Sequence, residues 1–316
     1  MTINRDRVAA VALPLLLVAF IIIFSLLKPE LFFTTSNLRT ILVTQAVLAI
    51  LSLATMIPLI LGEFDLSVGA NLGLGAILAT GLQVKSGSGF VIGIVIALIA
   101  CSLVGLINGI FVVRFKINAF IATLAMSTIL SSIVLWYSGG STLSEGVSTT
   151  FKAIGHNSAL GIPLPVIYVV IVGAVLWYLT EQTPLGRQMY AIGGSRDAAR
   201  LSGVRVDVIM IGAFVLTGFI AGIAGVLQAA SLGSGSPTIG PAFLLPAFAA
   251  AFLGATAIRV GQFNVIGTVL AVLTLQTGIT GLQLLGAPYY IEGLFNGVAL
   301  LVAVGATVFL RRAATA

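Results

Sequence analysis

Charged side chains are scarce in this sequence. Asp, Glu, Lys and Arg together make up 8% of the 316 residues, whereas a soluble domain contains about 25%. Because 59% of the residues are hydrophobic, the polar side chains are too few to cover a surface that faces water. A soluble globular protein is therefore excluded, and the composition predicts a membrane protein.

Histidine and cysteine are almost absent, since His156 and Cys101 are the single residues of each type. One cysteine cannot form a disulfide within the chain, and one histidine in a predicted loop gives no basis for a metal cluster or a Cys/His nucleophile pair. An intramembrane enzyme would need a base beside its nucleophile, and the sequence offers none. The chain is therefore expected neither to be an enzyme nor to bind a metal.

Motifs for nucleotide and nucleic-acid binding are also missing. The sequence has no Gly-x-x-x-x-Gly-Lys-Ser/Thr, the loop that holds ATP phosphates, so no cofactor is expected in this chain. The net charge of +6 does not point to nucleic acid, because the basic residues are scattered over short loops, where they set membrane orientation. The alternating strands that are typical of membrane barrels are absent as well.

What the sequence does have is a series of long apolar runs. A run of about 18 or more apolar residues can cross a bilayer as a helix, and backbone polar groups in lipid must be satisfied within that helix. A signal peptide is disfavoured for the first run, because it is long and Lys28-Pro29-Glu30 follows it. The sequence predicts an all-α polytopic membrane protein with about ten transmembrane helices, at residues 8–27, 38–61, 66–82, 90–113, 117–137, 164–180, 208–230, 241–257, 261–285 and 291–310.

The distribution of lysine and arginine predicts which side of the membrane each loop faces. Ten spans put both termini on one side, and cytoplasmic loops are enriched in these two residues. With the N-terminus inside, 11 basic residues fall on inner segments and 4 on outer ones, so both termini are predicted to be cytoplasmic. The inner residues are Arg5, Arg7, Arg114, Lys116, Arg187, Arg196, Arg200, Arg205, Arg259, Arg311 and Arg312, and the outer residues are Lys28, Arg39, Lys85 and Lys152.

A long polar interruption, Glu181–Asp207, divides the second half of the chain and is called the polar segment below. Ser195 is typical of a helix N-cap, and Asp197 would lie in the first turn, where a negative charge suits the helix dipole. Gly203 stands where a glycine commonly ends a helix. These signals predict a short helix over Arg196–Ser202, outside the bilayer.

The predicted short helix carries a basic face, because Arg196 and Arg200 are four residues apart. A tight turn at Gly193-Gly194 is expected to precede it. Such a helix, held between two membrane spans, is suited to docking into a partner. A cytoplasmic loop that only sets the topology explains the arginines equally well.

A second polar interruption, Gly62-Glu63-Phe64-Asp65-Leu66-Ser67-Val68-Gly69, separates the second and third predicted spans. Two carboxylates near membrane depth are costly and usually functional, so Asp65 and Ser67 are candidates for lining or gating a pathway. Asp65 is equally a candidate N-cap of the helix that follows. An alternative function follows from the same residues, namely an ion-coupled secondary transporter in which Glu63 or Asp65 carries the ion.

Glycines four residues apart recur within the apolar runs, and this spacing allows helices to approach closely. Asn108 and Thr123 are polar exceptions within these runs, and each is predicted either to bond a neighbouring helix or to face a pathway. The glycine pairs are Gly69/Gly73, Gly105/Gly109, Gly218/Gly222 and Gly293/Gly297.

Amide, phenol and carboxylate side chains gather toward the last predicted outer turn. Such groups, together with aromatic faces, are what a polyol needs for binding. They also suit an interface belt and hydrogen bonds between helices, so both interpretations stay open. The residues are Gln276, Gln283, Tyr289, Tyr290, Glu292 and Asn296.

Several stretches together resemble bacterial ABC-importer permeases of the ribose/xylose/monosaccharide branch, over about residues 35–310. They are GRQMYAIGGSRDAARLSGVRV in the polar segment, GEFDLSVG at residues 62–69, GLING at 105–109, FIATL at 120–124 and the block at 252–267. Two departures stand out, because Glu63 occupies a position that is usually glycine in the family and Ala255 replaces a commoner glycine.

The resemblance implies a single permease domain over residues 1–316, with the polar segment, 181–207, as its cytoplasmic coupling loop. In this family the short helix of the loop docks into a cleft on an ATP-binding subunit, so ATP and Mg would be bound by partner subunits. The residues that the resemblance assigns to this contact are Arg187, Gly193, Ser195, Arg196, Ala199, Arg200 and Gly203.

The resemblance also implies the assembly and the function. We expect cytoplasmic ATP-binding subunits, an external sugar-binding protein in the periplasm or outside the cell, and a second permease copy in a homodimer or a heterodimer. The expected location is the bacterial inner (plasma) membrane. The expected function is ATP-driven import of a monosaccharide or related polyol through a pathway that this chain forms.

Overall fold

The computed structural model of the chain describes residues 5–315, and its side chains from residue 10 to residue 305. Nearly all regular structure is helical. The helices are α1 (Arg5–Leu27), α2 (Thr35–Thr44), α3 (Ala46–Ile60), α4 (Val68–Ser86), α5 (Phe90–Val113), α6 (Ala119–Ser138), α7 (Thr149–His156), α8 (Leu164–Trp177), α9 (Pro184–Gly194), α10 (Arg196–Leu201), α11 (Val206–Leu232), α12 (Gly240–Gly254), α13 (Val265–Leu284) and α14 (Ile291–Thr315).

The helices confirm a polytopic membrane protein. Every predicted apolar run is largely helical, and the run at 38–61 covers two helices, α2 and α3. Within the described residues 7 helical stretches are long and apolar enough to cross a bilayer. Two shorter apolar helices, Gly240–Gly254 and Ile291–Gly305, accompany them. The count of ten spans stays a prediction, as does the orientation, which depends partly on Arg5, Arg7, Arg311 and Arg312, whose side chains lie outside the described residues.

Backbone contacts divide the chain into two compact units. One unit runs from Ile57 to Leu244, and the other comprises the chain up to Met56 together with the chain from Leu245. The assignment of a single permease domain stays a prediction.

The core of the unit from Ile57 to Leu244 is built by α4, α5 and α11, which pack against one another. Small residues line these contacts, so backbones approach closely, as is common where helices associate in lipid. One end of this core is covered by α7, whose Phe151 is fully buried in a cluster with Ala229 and Ala230.

In the other unit, α13 packs against α1, α2 and α14. Aromatic rings fill the space that glycines leave on α13, since a Cβ at Gly281 would meet the ring of Phe24 and one at Gly278 would meet Phe295. The rings of Phe20 and Phe24 lie 5.9 Å apart between centroids. The side chain of Asn264 caps α13 by accepting a hydrogen bond from the backbone N–H of Gly267 at 2.7 Å.

The stretch from Ser138 to Pro163 contains regular structure. It contains α7 and a two-stranded antiparallel ribbon, β1 (Ser158–Ala159) and β2 (Ile162–Pro163). Leu160 and Gly161 form its tip with positive φ angles of 53° and 81°, which matches the twist that short hairpins require. His156, expected in a loop, is instead the last residue of α7.

Candidate functional site

The polar segment folds as two short helices, α9 and α10, joined at Ser195. Ser195 has extended backbone angles, φ −161° and ψ 115°, and its Oγ accepts a hydrogen bond from the Ala198 N–H at 3.3 Å. Gly203 follows the helix with a φ of 81°, a conformation that glycine adopts without strain. The helix signals at Ser195 and Gly203 are therefore confirmed, and α10 ends at Leu201, one residue earlier than predicted.

The tight turn predicted at Gly193-Gly194 is wrong, because both residues belong to the last turn of α9. Pro184 begins α9 at a position where its missing N–H costs nothing, and Thr183 caps it. A Cβ at Gly193 would collide with the carbonyl oxygen of Ile60. Gly193 therefore serves close packing of the end of α9 against the end of α3, rather than a turn.

One face of the polar segment is buried and the opposite face is open. Met189, Ile192 and Ala199 are buried against the rest of the unit. Leu201, by contrast, has 91% of its surface exposed, although its side chain is large and apolar. Arg187 and Arg205 are exposed as well.

Two ion pairs fix the charged side chains around α10. Arg196 pairs through Nη2 with Oε1 of Glu63, which lies in the loop between α3 and α4. Arg200 pairs through Nη2 with Oδ1 of Asp207 at 2.6 Å, and both side chains are more than half exposed. The predicted basic face is therefore partly neutralised, and Arg196 turns toward another part of the chain.

The loop at residues 61–67, called the α3–α4 loop below, holds a buried carboxylate. Asp65 is 2% exposed, and its Oδ1 accepts hydrogen bonds from the Ser67 N–H at 2.9 Å and the Ser67 Oγ–H at 2.6 Å. Burial raises the pKa of Asp65 to about 6, against the opposite effect of these two bonds. The predicted cap at Asp65 is wrong, because the N-cap position of α4 is Ser67 and Asp65 bonds the cap residue instead.

Asn108 and Thr123 both reach the α3–α4 loop. Asn108 on α5 donates from Nδ2 to Ser67 Oγ at 2.9 Å, and its own Oδ1 is buried without a hydrogen-bond partner in the described structure. Thr123 on α6 accepts a hydrogen bond from the Leu66 N–H at 2.9 Å. The structure thus brings together Asp65, Ser67, Asn108 and Thr123 at one junction between four helices.

The predicted packing glycines lie where backbones meet. A Cβ at Gly105 would meet the carbonyl of Phe214, and one at Gly218 would meet the carbonyl of Cys101. A Cβ at Gly109 would likewise meet the backbone of Ile211, and one at Gly69 the carbonyl of Gly240. A Cβ at Gly222 would meet the side chain of Cys101, whereas one at Gly73 would lie 3.6 Å from the Gly240 Cα, an ordinary contact. Gly293 and Gly297 differ, since no described atom lies within 4 Å of a Cβ built on either.

Asn71 is a buried polar residue that sequence reasoning missed, because it lies within an apolar run and matches no motif. It lies where α4, α5 and α11 cross, a region called the glycine crossing below. Its Nδ2 donates to the Cys101 carbonyl at 3.2 Å and contacts the Gly218 carbonyl at 3.5 Å, while its Oδ1 is buried without a partner in the described structure.

The late polar residues do not form one buried group. Gln276 donates to Thr280 on its own helix at 3.0 Å, Gln283 and Glu292 are exposed, and Asn296 is buried. Tyr289 and Tyr290 are exposed with ring centroids 5.9 Å apart. This arrangement favours neither polyol binding nor an interface belt with hydrogen bonds between helices, the two interpretations offered by the sequence.

A cavity of about 640 Å³ opens beside α10. Charged side chains of both signs line it, including Glu63, Lys116, Arg196 and Asp207. In the part of the chain that the structure describes, no group of three or more His, Cys, Asp or Glu is placed to hold a metal ion. The polar contacts of α10 beside this cavity are the ion pairs of Arg196 and Arg200.

Comparison with known proteins identifies a family. The family described as "Branched-chain amino acid transport system / permease component" matches residues 37–304. The chain belongs to this permease family. No solved structure matches the permease significantly.

Individual relatives match nearly the whole permease. It is 36% identical to the ribose import permease protein of Haemophilus influenzae over 298 residues, which cover 93% of this chain and 91% of the relative. It is 35% identical to the ribose import permease protein of Bacillus subtilis, covering 90% and 88%. It is 32% identical to the D-allose transport system permease protein of Escherichia coli, covering 92% and 88%.

Neither the relatives nor the geometry supports the ion-coupled alternative. The relatives are named as permeases of ribose import or of a D-allose transport system. In this permease Glu63 is engaged with Arg196, and Asp65 is held by two bonds from Ser67. The residues that would have carried an ion are thus occupied by contacts within the protein.

Proposed function

We propose that the permease is the membrane subunit of an ATP-driven importer of a monosaccharide or related polyol. Its relatives are named for the import of ribose and the transport of D-allose, both monosaccharides, and they align over about nine-tenths of the chain. Partner subunits would bind and hydrolyse ATP with Mg, and an external sugar-binding protein would deliver the substrate. A second copy of the permease would complete the pathway.

The observation that carries this proposal is the build of α10. The helix is short, capped by Ser195 and anchored on its inner side by the buried Ala199. Its free side presents the exposed Leu201 beside Arg200. An exposed apolar side chain next to an arginine, on a helix held in place, is typical of an anchor that enters a groove on a partner.

The membrane arrangement that we propose has ten spans with both termini in the cytoplasm of a bacterial cell. The excess of 11 basic residues over 4 on the inner segments supports it. It places α9 and α10 on the cytoplasmic side, where ATP-binding subunits lie. Because α10 is joined to spans at both ends of the polar segment, a force applied to it would reach the membrane helices.

Replacing Leu201 by Asp tests the docking proposal. A buried anchor of this kind contributes about 2 kcal/mol or more to binding, so Leu201→Asp should retain less than about one tenth of the ATP-binding subunit during co-purification. ATP-driven uptake into proteoliposomes should fall with it. Leu160→Asp is the matched control, because Leu160 is also almost fully exposed, at 102%, at the tip of the β1–β2 ribbon, which the proposed arrangement puts on the outer side.

Once inserted in the membrane, Leu160→Asp should retain the ATP-binding subunit during co-purification and should take up sugar at the wild-type level. Wild-type retention of the partner by Leu201→Asp would overturn the docking role of α10. Absence of ATP-dependent sugar uptake by the wild-type complex, with its binding protein supplied, would overturn the proposed function itself.

A further inference from the structure

The side chain of Glu63 is charged, largely buried and not explained by the docking of α10. It belongs to the α3–α4 loop, and 12% of it is exposed, whereas 44% of its partner Arg196 is exposed. A carboxylate shielded to this extent needs a cationic partner. Arg196 supplies it from a position 133 residues further along the chain.

The contacts between the polar segment and the α3–α4 region include one of backbone packing and one ion pair. At the end of α9, Gly193 lies against the carbonyl of Ile60 so closely that a Cβ would collide with it. At the start of α10, Arg196 pairs with Glu63. The first contact is backbone packing and belongs to α9, so the ion pair is the contact that responds to a movement of α10 itself.

On its other side, the α3–α4 loop is bonded to two further helices. The Leu66 N–H donates to Thr123 of α6 at 2.9 Å, and Ser67 accepts a hydrogen bond from Asn108 of α5 at 2.9 Å. A displacement of Glu63 therefore reaches α5 and α6 through backbone and buried hydrogen bonds. Buried bonds of this kind are stiff, because breaking one leaves a polar group unpaired away from water.

The second ion pair of α10 does not reach the α3–α4 loop. It joins Arg200 to Asp207, 7 residues further on in the first turn of α11, which the backbone already connects to α10, and both side chains are more than half exposed. The cavity of about 640 Å³ also lies between Arg196 and the facing end of α5, at Val112 and Val113. Glu63 lines the same cavity, so side-chain packing does not enclose the ion pair on that side.

We propose that Glu63 is a positioning residue, through which a movement of α10 is passed to the α3–α4 loop and from there to α5 and α6. Arg196 is its partner in this role and acts inside the permease rather than toward the ATP-binding subunit. The proposal rests on the proposed function, because the movement of α10 would be imposed by that subunit. It assigns a role to the residue at which this chain departs from the glycine usual in the motif.

The test measures coupling rather than activity alone, in the complete complex in proteoliposomes. Glu63→Gln should still bind the ATP-binding subunit and hydrolyse ATP, but the sugar moved per ATP hydrolysed should fall by about fivefold, the lower end of typical coupling between sites. Asp207→Asn is the matched control, since it removes the other ion pair of α10 by the same chemical change. It should leave the ratio unchanged.

Reversing the pair distinguishes a link from a general structural effect. Glu63→Arg and Arg196→Glu should each lower the ratio, and the double variant should restore most of it, because the ion pair is rebuilt in the opposite sense. A normal ratio in Glu63→Gln, with a wild-type complex that transports, would overturn this inference and leave the proposed function standing. Failure of the double variant to recover would also overturn it.

Discussion

The polar segment and the glycine crossing lie in the same unit of the permease but are held together in opposite ways. At the glycine crossing, α4, α5 and α11 meet backbone to backbone, with the Gly218 position against the Cys101 carbonyl. Apart from the close backbone packing of Gly193 at the end of α9, the polar segment is held instead by ion pairs, a helix cap and a few buried side chains. The first arrangement has no room for adjustment, whereas the second can shift while its contacts persist.

This difference matches what a transport subunit requires. A membrane subunit needs a rigid body that transmits force and an exposed element that receives it. Close-packed interiors are bistable or rigid rather than continuously deformable. We therefore expect substitutions at the glycine crossing to affect stability and substitutions in the polar segment to affect coupling.

The largest effect should come from filling the glycine crossing. Gly218→Ala places a methyl group against the Cys101 carbonyl and the Gly105 nitrogen, and overpacking of this kind costs about 1–3 kcal/mol. Thermal unfolding of the detergent-solubilised permease should show a lower midpoint. Gly212→Ala is the control on the same helix, because no described atom lies within 4 Å of a Cβ there, and its midpoint should not fall. Equal midpoints for the two variants would show that the glycine crossing is not closely packed and would contradict its description as the rigid region.

A smaller and more local effect should follow from removing the cap of α10. Ser195→Ala deletes the hydrogen bond to the Ala198 N–H, and loss of such a cap costs about 1 kcal/mol. The amides of residues 196–201 should exchange hydrogen faster by roughly fivefold, while the thermal midpoint of the whole permease stays unchanged. Ser195→Asp keeps an acceptor and should exchange like the wild type. Faster exchange across α4, α5 and α11 as well would show that the two regions are not independent.

Within the polar segment, the sequence predicted the helix α10 but not the contacts that its side chains make. Ser195 and Gly203 identified α10 because caps and helix ends depend on local backbone geometry. The pairing of Glu63 with Arg196 could not be predicted from the sequence, since the two residues are 133 positions apart and no local pattern links them. The same holds for Asn71, whose contacts are carbonyls on two other helices.

Two predictions from local sequence signals were wrong, the turn at Gly193-Gly194 and the helix cap at Asp65. Gly193-Gly194 looked like a turn because diglycine is flexible, but α9 uses Gly193 to approach the Ile60 carbonyl. Asp65 looked like a helix cap, yet it lies two residues before the N-cap position and bonds Ser67. In both cases the tertiary neighbour, which the sequence does not reveal, decided the role of the residue.

The central claim, that an exposed helix on the cytoplasmic side receives a partner, is tested most directly by labelling Leu201→Cys with a membrane-impermeant maleimide. Cys101 is the only native cysteine and is buried, so the introduced thiol is the accessible one. We predict labelling in inside-out vesicles, none in right-side-out vesicles, and protection when ATP-binding subunits are added. Labelling from the outside, or no protection by those subunits, would contradict the account.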